Sequence, residues 1–502
     1  MSNSLDTYHD LERLFNPRGV GIIGVGPNPS GAGYFARIME GKIKVPMYFF
    51  NPKYAGQELL GQKCYSSILD EELKNKPIDY VILGVKAGLC PQILEEIGQK
   101  GSKFVTIFAS GFSEVGNEGL ESQVLEIATK YNMRIIGPNC IGLYAPYMGI
   151  YNGGDQSRKT GNFSATFQSG GLAVNSAQLA VSYGVYVAQM ISIGNAIDLG
   201  HPDFLEYFLH DPRTRIIGLY LEHLKNIEEG HKFIKITKEC NLNRKPVILW
   251  RAGYGDATKK AIISHTGGLA GSNAIWKAVA KQTGCSLVKN STEMAALASA
   301  FKFTSLPASR RIGLIGIGGG STIEAGDALE KYNIQIPRLT DKTINKFARF
   351  LPDVNTNFVN PLDLGAQGAY PNIYAKVLSI LDRDPNIDAI VFVKDPERFA
   401  SLQDTMLAES GMKVDLNKMF IQFVRKTRKK YGNKPLYCVM LKINEGFQEY
   451  KSRYSFKLKL LNSGIPVFES FDLVGKVLNH LNNYREFLEK HGKWKPPKNN
   501  GE

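Results

Sequence analysis

The 502-residue sequence has no uninterrupted apolar run approaching the roughly 18 residues of a membrane-spanning helix, so no such helix is expected. Its first residues, MSNSLDTYHDLERLF, include acids and no basic segment before an apolar core, which argues against a secretory signal. The six cysteines are scattered without a CxxC pair, and the eight histidines contain no HExxH motif. These absences exclude a disulfide framework and the common zinc sites, and they predict a cytoplasmic chain without a metal site.

Glycine and positive charge are in excess. The fifty glycines are about one residue in ten, above the usual share of about 7%, and they cluster in turns between apolar segments. A net charge of +14 favours anionic partners. The basic residues are dispersed, without a patch interleaved with aromatics, so nucleic-acid binding is not predicted. The length suggests about three domains.

The first 150 residues alternate short apolar runs with helical patterns. The apolar runs, each bounded by turn residues, are 19–26, 45–52, 80–85, 103–109 and 134–140. Longer periodic segments, such as 91–101 and 120–132, lie between them. This alternation predicts an α/β domain with a doubly wound parallel sheet.

The remaining sequence contains the same series of short motifs twice. The first copy comprises 163–184, 195–200, 211–222, 244–250 and 284–291, and the second comprises 311–333, 360–365, 384–395, 433–440 and 464–471. Eleven residues separate Asp211 from Glu222 and likewise Asp384 from Asp395. We therefore predict two copies of one α/β domain. The first copy alone has an insertion that contains SHTGG, which suggests a functional loop on a shared scaffold.

Glycine-rich turns follow several of the predicted strands. Gly24, Gly26 and Ser30 follow the first one, where main-chain N–H groups and a helix start can bind phosphate or simply allow tight packing. The second strand ends at Asn51-Pro52-Lys53, where an NAD-binding domain would place an acidic residue. Lys53 suits an extra phosphate, as on NADP or coenzyme A, unless it is only a solvated lysine.

Three further turns are candidates for ligand contact. Asn139-Cys140 closes the last strand of the first domain, as part of a ligand crevice or as a structural turn. Ser169-Gly170-Gly171 and Gly319-Gly320 each lie between a strand and a helix in the two copies. Both turns offer N–H groups and a positive helix end to an anion, although a purely structural turn remains the alternative for each.

His265 lies in the inserted Ser-His-Thr-Gly-Gly run. An imidazole on such a loop can be a nucleophile, a general base or a metal ligand, and a lone histidine is often none of these. Glu222 ends a predicted strand in the same domain copy, so it should emerge at the carboxyl edge of that sheet. There a carboxylate could hold one imidazole nitrogen and leave the other free to attack.

These words in this order resemble the α subunit of the ADP-forming acyl-CoA synthetases, typified by ADP-forming acetate–CoA ligase, and more distantly that of succinyl-CoA synthetase. The matching words are LFNPRGVGIIGVG, NPKY, SGFSEVGNEG, GPNCIGL, FQSGGLA, SHTGGLAGSN and NPLDLG. The resemblance implies a Rossmann-like CoA-binding domain at 1–150, a flavodoxin-like ligase domain with a phosphohistidine loop at 151–306, and a second flavodoxin-like domain at 307–502.

The resemblance also implies roles for residues. His265 matches the phosphohistidine and Glu222 its acidic partner, while Ser169-Gly170-Gly171 match the helix start that receives the phosphoryl group. Asn51-Pro52-Lys53 match the turn that contacts CoA, and Asn139-Cys140 the turn near its thiol. Val85-Lys86 fall in another turn beside CoA, where the family usually has proline in place of Lys86.

The implied reaction interconverts acyl-CoA, ADP and phosphate with a carboxylic acid, ATP and CoA. No stretch resembles the ATP-grasp domains of the family, so a separate β subunit, in an α2β2 assembly, is expected to bind ATP or ADP with Mg²⁺. Three alternatives are an NADP-dependent oxidoreductase, a CoA-sensing regulatory protein without catalysis, and an acyl or carbamoyl transferase that needs no nucleotide. The oxidoreductase would leave the SHTGG loop without a role, and a sensor would need neither His265 nor Glu222.

Overall fold

The apolar runs of the sequence form three mostly parallel sheets in a computed structural model of the chain. The structure describes residues 4–253, 255, 272–316, 318–397, 415–442 and 446–496. They divide into two units, Met1–Val181 with Val185–Met294 and Ser182–Gly184 with Ala295–Glu502. Within those described ranges, every helix is too short or too polar to cross a membrane.

The first sheet contains the five strands expected before residue 140. Its strands are β1 Val20–Ile23, β2 Met47–Phe50, β3 Glu58–Leu59, β4 Gln62–Tyr65, β5 Tyr80–Leu83, β6 Phe104–Ile107 and β7 Arg134–Ile136. Its helices are α1 Ser4–Phe15, α2 Ala32–Met39, α3 Cys90–Lys100 and α4 Glu118–Lys130. The order β3-β4-β2-β1-β5-β6-β7 contains the Rossmann order, extended by the short antiparallel strand β3. The pair β3–β4 was not expected, because its strands are short and polar.

The second sheet belongs to the same unit. Its strands are β8 Gly142–Tyr144, β9 Phe163–Phe167, β10 Val187–Ser192, β11 Ile216–Leu221, β12 Val247–Arg251 and β13 Ser286–Val288. Its helices are α5 Gly170–Ser182, α6 His201–His210, α7 Ile227–Leu242 and α8 Asn273–Thr283, followed by α9 Ser291–Phe303, which begins in this unit and continues into the second. The order is β13-β12-β11-β9-β10-β8, in which only β8 runs antiparallel to its neighbour. The chain thus enters the second sheet at β8, directly after the first sheet ends.

The third sheet lies in the second unit. Its strands are β14 Ile312–Gly316, β15 Leu362–Asp363, β16 Ala389–Val393, β17 Leu436–Val439 and β18 Val467–Phe468. Its helices are α10 Gly319–Glu330, α11 Asp341–Ala348, α12 Pro371–Leu381, α13 Leu416–Tyr431, α14 Phe447–Leu461 and α15 Phe471–Lys490. The order β15-β14-β16-β17-β18 repeats that of β10-β9-β11-β12-β13, which is the flavodoxin-like order. The predicted fold class is confirmed, whereas the boundaries at residues 150 and 306 stay predictions.

Local sequence explains why these elements start and stop where they do. Every residue of β1, β9 and β11 is buried, as expected for parallel strands covered by helices on both faces. The side chain of Asn226 accepts a hydrogen bond from the N–H of Glu229 and so caps α7. Ser470 caps α15 through the N–H of Leu473 in the same way. These covered strands and capped helices place the connecting turns at the sheet edges.

Candidate active site

The carboxyl ends of β2, β1 and β5 lie side by side, at the edge of the sheet where a ligand crevice is predicted. Gly24 directly follows β1 with φ +94°, and a Cβ atom there would lie 2.6 Å from the carbonyl oxygen of Gly84. This close approach of two strand ends explains the glycine. Gly26 and the exposed Ser30 continue the turn toward α2. The first predicted turn therefore opens at the point where the strand order reverses.

Asn51 joins two of these strand ends. Its Nδ2 donates to the carbonyl of Val25 at 2.8 Å, and its Oδ1 accepts the N–H of Lys53 at 3.1 Å. Pro52 begins a short 3-10 helix, and the exposed Lys53 has its Nζ atom 5.5 Å from the ring centroid of Tyr54. The side chain of Asn51 thus stabilises the turn that carries the exposed Lys53.

The neighbouring turn after β5 contributes the other two predicted residues. Val85 is half-buried and Lys86 is exposed, directly before a 3-10 helix that spans Ala87–Leu89. Two lysines, Lys53 and Lys86, therefore lie on exposed turns on either side of the turn that follows β1. Two cations at this edge suit a ligand with more than one phosphate.

Asn139-Cys140 lies farther along the edge, after β7, where the first sheet meets the second. Cys140 is buried, its Sγ lies 3.5 Å from the carbonyl oxygen of Ile136, and burial raises its pKa to about 12. The thiol is therefore protonated at neutral pH. The N–H of Asn195, from the turn after β10, donates to the carbonyl of Pro138 at 3.0 Å. The turn packs against the second sheet and does not join the crevice of β2, β1 and β5 directly.

Two polar links strengthen this junction between the sheets. Arg134 pairs with Asp198 at 2.9 Å, and that carboxylate also accepts the N–H of Ile135 at 2.8 Å. The Nδ2 atom of Asn195 donates to Glu114 at 2.7 Å and to Glu121 at 3.1 Å, both from the first domain. Burial alone would raise the pKa of Glu114, but the N–H of Gly111 and the amide of Asn195 outweigh it and hold that pKa low.

The substitution Gly194→Ala tests how closely the two sheets pack. Gly194 has φ +49°, and a Cβ atom there would overlap the main-chain oxygens of Pro138 and Asn139. We expect the free energy of unfolding to fall by about 2–4 kcal/mol, measured by urea denaturation followed by circular dichroism. Gly171→Ala is the matched control, because no atom lies within 4 Å of its Cβ position, and it should change stability by less than about 1 kcal/mol. Equal effects of the two substitutions would contradict the packing described.

The second sheet brings Glu222 close to the start of α5. Ser169 precedes Gly170 at the end of β9, and Glu222 follows Leu221 at the end of β11. These two strands are neighbours and parallel, so the two turns emerge at the same edge, at the reversal of the strand order. Gly171 has open space around its Cβ position. The helix start that was predicted to bind phosphate and the predicted acidic residue therefore lie at the same edge of the sheet, on neighbouring turns.

Two residues that were not predicted interact with Glu222. Gln168 accepts the N–H of Glu222 at 2.6 Å through its Oε1 atom, although 54 residues separate them. Burial and the carboxylate of Glu222, two residues farther along and so on the same face of the strand, raise the pKa of the Tyr220 hydroxyl. The Tyr220 ring packs edge-on against Trp250, with centroids 4.7 Å apart. A glutamine that ends one strand and an alternating Tyr-Leu-Glu on the next are signals that sequence inspection could have used.

His265 lies outside the described residues, so its proximity to Glu222 stays a prediction. In the parts of the chain that the structure describes, no group of His, Cys, Asp and Glu residues could hold a metal ion.

The corresponding turn of the third sheet differs from that of the second. Asp363 accepts the N–H of Gly318 at 2.7 Å and that of Gly365 at 2.9 Å. A Cβ atom at Gly319 would lie 3.6 Å from the second oxygen of this carboxylate. At the start of α10 the Asp363 carboxylate already accepts the N–H of Gly318, so this donor is not available to a phosphate. The geometry therefore favours Gly170-Gly171 over Gly319-Gly320 as a phosphate site.

Two family models match the chain. A model described as a CoA binding domain matches residues 18–146, and one described as a succinyl-CoA ligase like flavodoxin domain matches residues 160–301. These matches cover the first and second sheets.

Two relatives and a solved structure are also similar to the chain over most of its length. The alpha subunit of ADP-forming acetate–CoA ligase II from Pyrococcus furiosus is 31% identical over 466 residues, covering 91% of this chain and 94% of that subunit. An ADP-forming acetate–CoA ligase from Methanocaldococcus jannaschii is 35% identical over 71% of this chain, which spans only 49% of that relative. The acetyl-coenzyme A synthetase 1 of Ca. Korarchaeum cryptofilum, solved with phosphate and ADP, has a TM-score of 0.81 at 26% identity, covering 96% of this chain and 98% of that chain.

Proposed function

This chain belongs to the family of the ADP-forming acetate–CoA ligases, and we propose that it is the alpha subunit of an ADP-forming acyl-CoA synthetase. The observation that carries the proposal is the shared edge at which Glu222 meets the start of α5, held together by Gln168. This arrangement supplies an anionic group to orient an imidazole and main-chain N–H groups to neutralise a phosphoryl group.

The proposed reaction has three balanced steps. A phosphate oxygen attacks the thioester carbon of acyl-CoA, the C–S bond breaks, and CoA leaves as the thiol with formation of an acyl phosphate. A nitrogen of His265 then attacks the phosphorus atom, the P–O bond to the acyl group breaks, and the carboxylate leaves. The phosphoryl group finally passes from His265 to ADP, which gives ATP. The reverse direction forms acyl-CoA from acid, ATP and CoA.

The described residues support a division of these steps between the two sheets of the first unit. Lys53 and Lys86 stand at the crevice of the first sheet, where they would bind the phosphates of CoA. Ser169, Gly170 and Gly171 would bind the phosphoryl group at the helix start, where the macrodipole favours negative charge. Glu222 would steady the protonated or phosphorylated imidazole of His265.

We further propose that an ATP-grasp beta subunit completes the enzyme. The relative from Methanocaldococcus jannaschii is about twice as long as the part this chain matches, whereas the Pyrococcus furiosus alpha subunit is matched over nearly its whole length. The name of that relative, a subunit alpha, supports a partner chain, to which we assign the binding of ADP with Mg²⁺.

Ligand binding to the chain alone tests the first part of this function. We expect isothermal titration calorimetry to show binding of CoA and none of NADPH. Lys53→Ala should raise the Kd for CoA about tenfold. This factor corresponds to the loss of about 1.4 kcal/mol, which is typical of a charged hydrogen bond to phosphate. Lys76→Ala is the control and should leave the affinity unchanged, because this exposed lysine precedes β5 at the opposite edge of the sheet.

The same proteins distinguish the alternatives. Tight NADPH binding without CoA binding would overturn the proposal in favour of an oxidoreductase. CoA binding without release of CoA from acyl-CoA, phosphate and ADP, when the beta subunit is present, would instead favour a sensing protein. Turnover without ADP would favour a transferase.

A further inference from the structure

Gln168 makes three hydrogen bonds at the edge of the second sheet. Its Oε1 atom accepts the N–H groups of Glu222 at 2.6 Å and of His223 at 3.1 Å. Its Nε2 atom lies 3.2 Å from Nδ1 of His223. Both Gln168 and His223 are buried, so water does not compete for these bonds. One side chain thereby ties the start of α5 to the main chain at Glu222.

The main chain determines how this amide is oriented. Main-chain N–H groups only donate, so the oxygen of Gln168 must face Glu222 and His223. The NH₂ group of Gln168 then faces Nδ1 of His223, which has to act as an acceptor. His223 is therefore the neutral tautomer with its proton on Nε2. A proton on Nδ1 would set two donors against each other and break the arrangement.

The surroundings of His223 agree with a neutral ring. Burial lowers the pKa of His223, with an opposing main-chain interaction at Asn195 and a further lowering by Lys225. A second buried imidazole, His201, lies close by, with its Nδ1 atom 2.5 Å from Oγ1 of Thr166. Burial and the nearby His223 lower the pKa of His201 to about 3. Both rings are therefore uncharged at neutral pH.

This network also reaches the first domain. The main chain of Asn195 contacts His223, while the Asn195 side chain donates to Glu114 and Glu121. Glu114 in turn accepts the N–H groups of Gly111 at 2.5 Å and Phe112 at 3.2 Å, from the turn after β6. A continuous set of contacts thus runs from the edge of the first sheet through Asn195, His223 and Gln168 to Glu222.

We propose that Gln168 and His223 are a positioning pair that sets the main chain at Glu222 and thereby fixes where its carboxylate is presented for phosphoryl transfer. This inference rests on the proposed function, because it assigns Glu222 its role in that reaction. The pair acts through Glu222 and touches no reacting atom. Its loss should therefore slow phosphoryl transfer and leave the binding of CoA, at the other sheet, unaffected.

Kinetics of the assembled enzyme test the proposal. His223→Leu removes the acceptor for Gln168 and is expected to lower kcat at least tenfold, with the KM for CoA unchanged. His223→Asn can place Oδ1 where Nδ1 lies, so it should restore kcat to within about threefold of wild type. His231→Leu, which replaces an exposed histidine of α7, is the matched control and should keep the wild-type rate. Thermal melting of each variant verifies that the protein is folded.

A spectroscopic readout separates this inference from the proposed function. The ¹⁵N signals of labelled His223 should be those of the neutral ring with the proton on Nε2, and Gln168→Leu should change them. One outcome is wild-type protein with His223 protonated on Nε2 but without turnover of acyl-CoA. That result would refute the proposed function but not the hydrogen bond between Gln168 and His223. Normal kcat in folded His223→Leu, equal loss in the Leu and Asn variants, or a proton on Nδ1 would overturn the positioning role.

Discussion

His265→Ala is expected to abolish formation of phosphoprotein and to lower turnover on the order of 10⁵-fold, to background. The side chain of alanine has no nitrogen to accept the phosphoryl group. The phosphoryl group of the acyl phosphate therefore cannot reach ADP. The measurement incubates the chain with acyl-CoA, labelled phosphate and the beta subunit, and then tests the label for the acid lability and base stability of a phosphohistidine.

The control for this experiment is the binding of CoA. Lys53, Lys86 and the turn of Gly24 lie on the first sheet, so His265→Ala should bind CoA as wild type does. This variant can still carry out the first step, in which phosphate releases CoA from acyl-CoA. Because the acyl phosphate then stays bound, each protein molecule should release at most one CoA. Equal labelling of wild type and His265→Ala would refute the assignment of this histidine.

Glu222→Gln should lower kcat about 10²–10³-fold with little change in the KM for CoA. The amide fills the same space and can still contact Tyr220, but it lacks the negative charge that stabilises a cationic imidazole. Steady-state rates of acyl-CoA formation from acid and ATP, with CoA varied, measure both parameters, and phosphohistidine labelling should slow in proportion to kcat.

Tyr220→Phe is a useful companion to Glu222→Gln. It keeps the ring against Trp250 and Phe167 and removes only the hydroxyl group whose pKa the carboxylate of Glu222 influences. We expect a loss of less than about tenfold, because the charge of Glu222 remains. A Glu222→Gln enzyme as active as wild type, or a Tyr220→Phe enzyme that is the more impaired of the two, would contradict the role given to Glu222.

Much of the fold could be predicted because each buried parallel strand is a short apolar run bounded by turn residues. The runs at 19–26, 80–85 and 103–109 became β1, β5 and β6 within a few residues at each end. The two copies of the repeated series became sheets of the same strand order. Strands β3 and β4 escaped prediction, because their pairing arises from a turn and a neighbouring strand and not from hydrophobicity.

The candidate site was predictable only in part, because side chains distant in sequence complete it. Ser169, Gly170 and Glu222 could be identified from strand ends and motifs, but Gln168 is recognised only when β9 and β11 are seen to be neighbours. The turns at Gly170 and Gly319 are alike in sequence. They differ in structure since Asp363, 45 residues beyond Gly318, turns its carboxylate toward the second of them.

The sequence by itself determined the order of the α/β elements, the duplication, the glycine-rich turns and the family resemblance, because these depend on local patterns of apolar and small residues. Only the tertiary structure decided which strand ends lie side by side. It therefore also decided the hydrogen bond from Asn51 to Val25, the burial of Cys140 and the pairing of Gln168 with His223. Such contacts depend on sheet order and packing, which bring together residues that no local pattern connects.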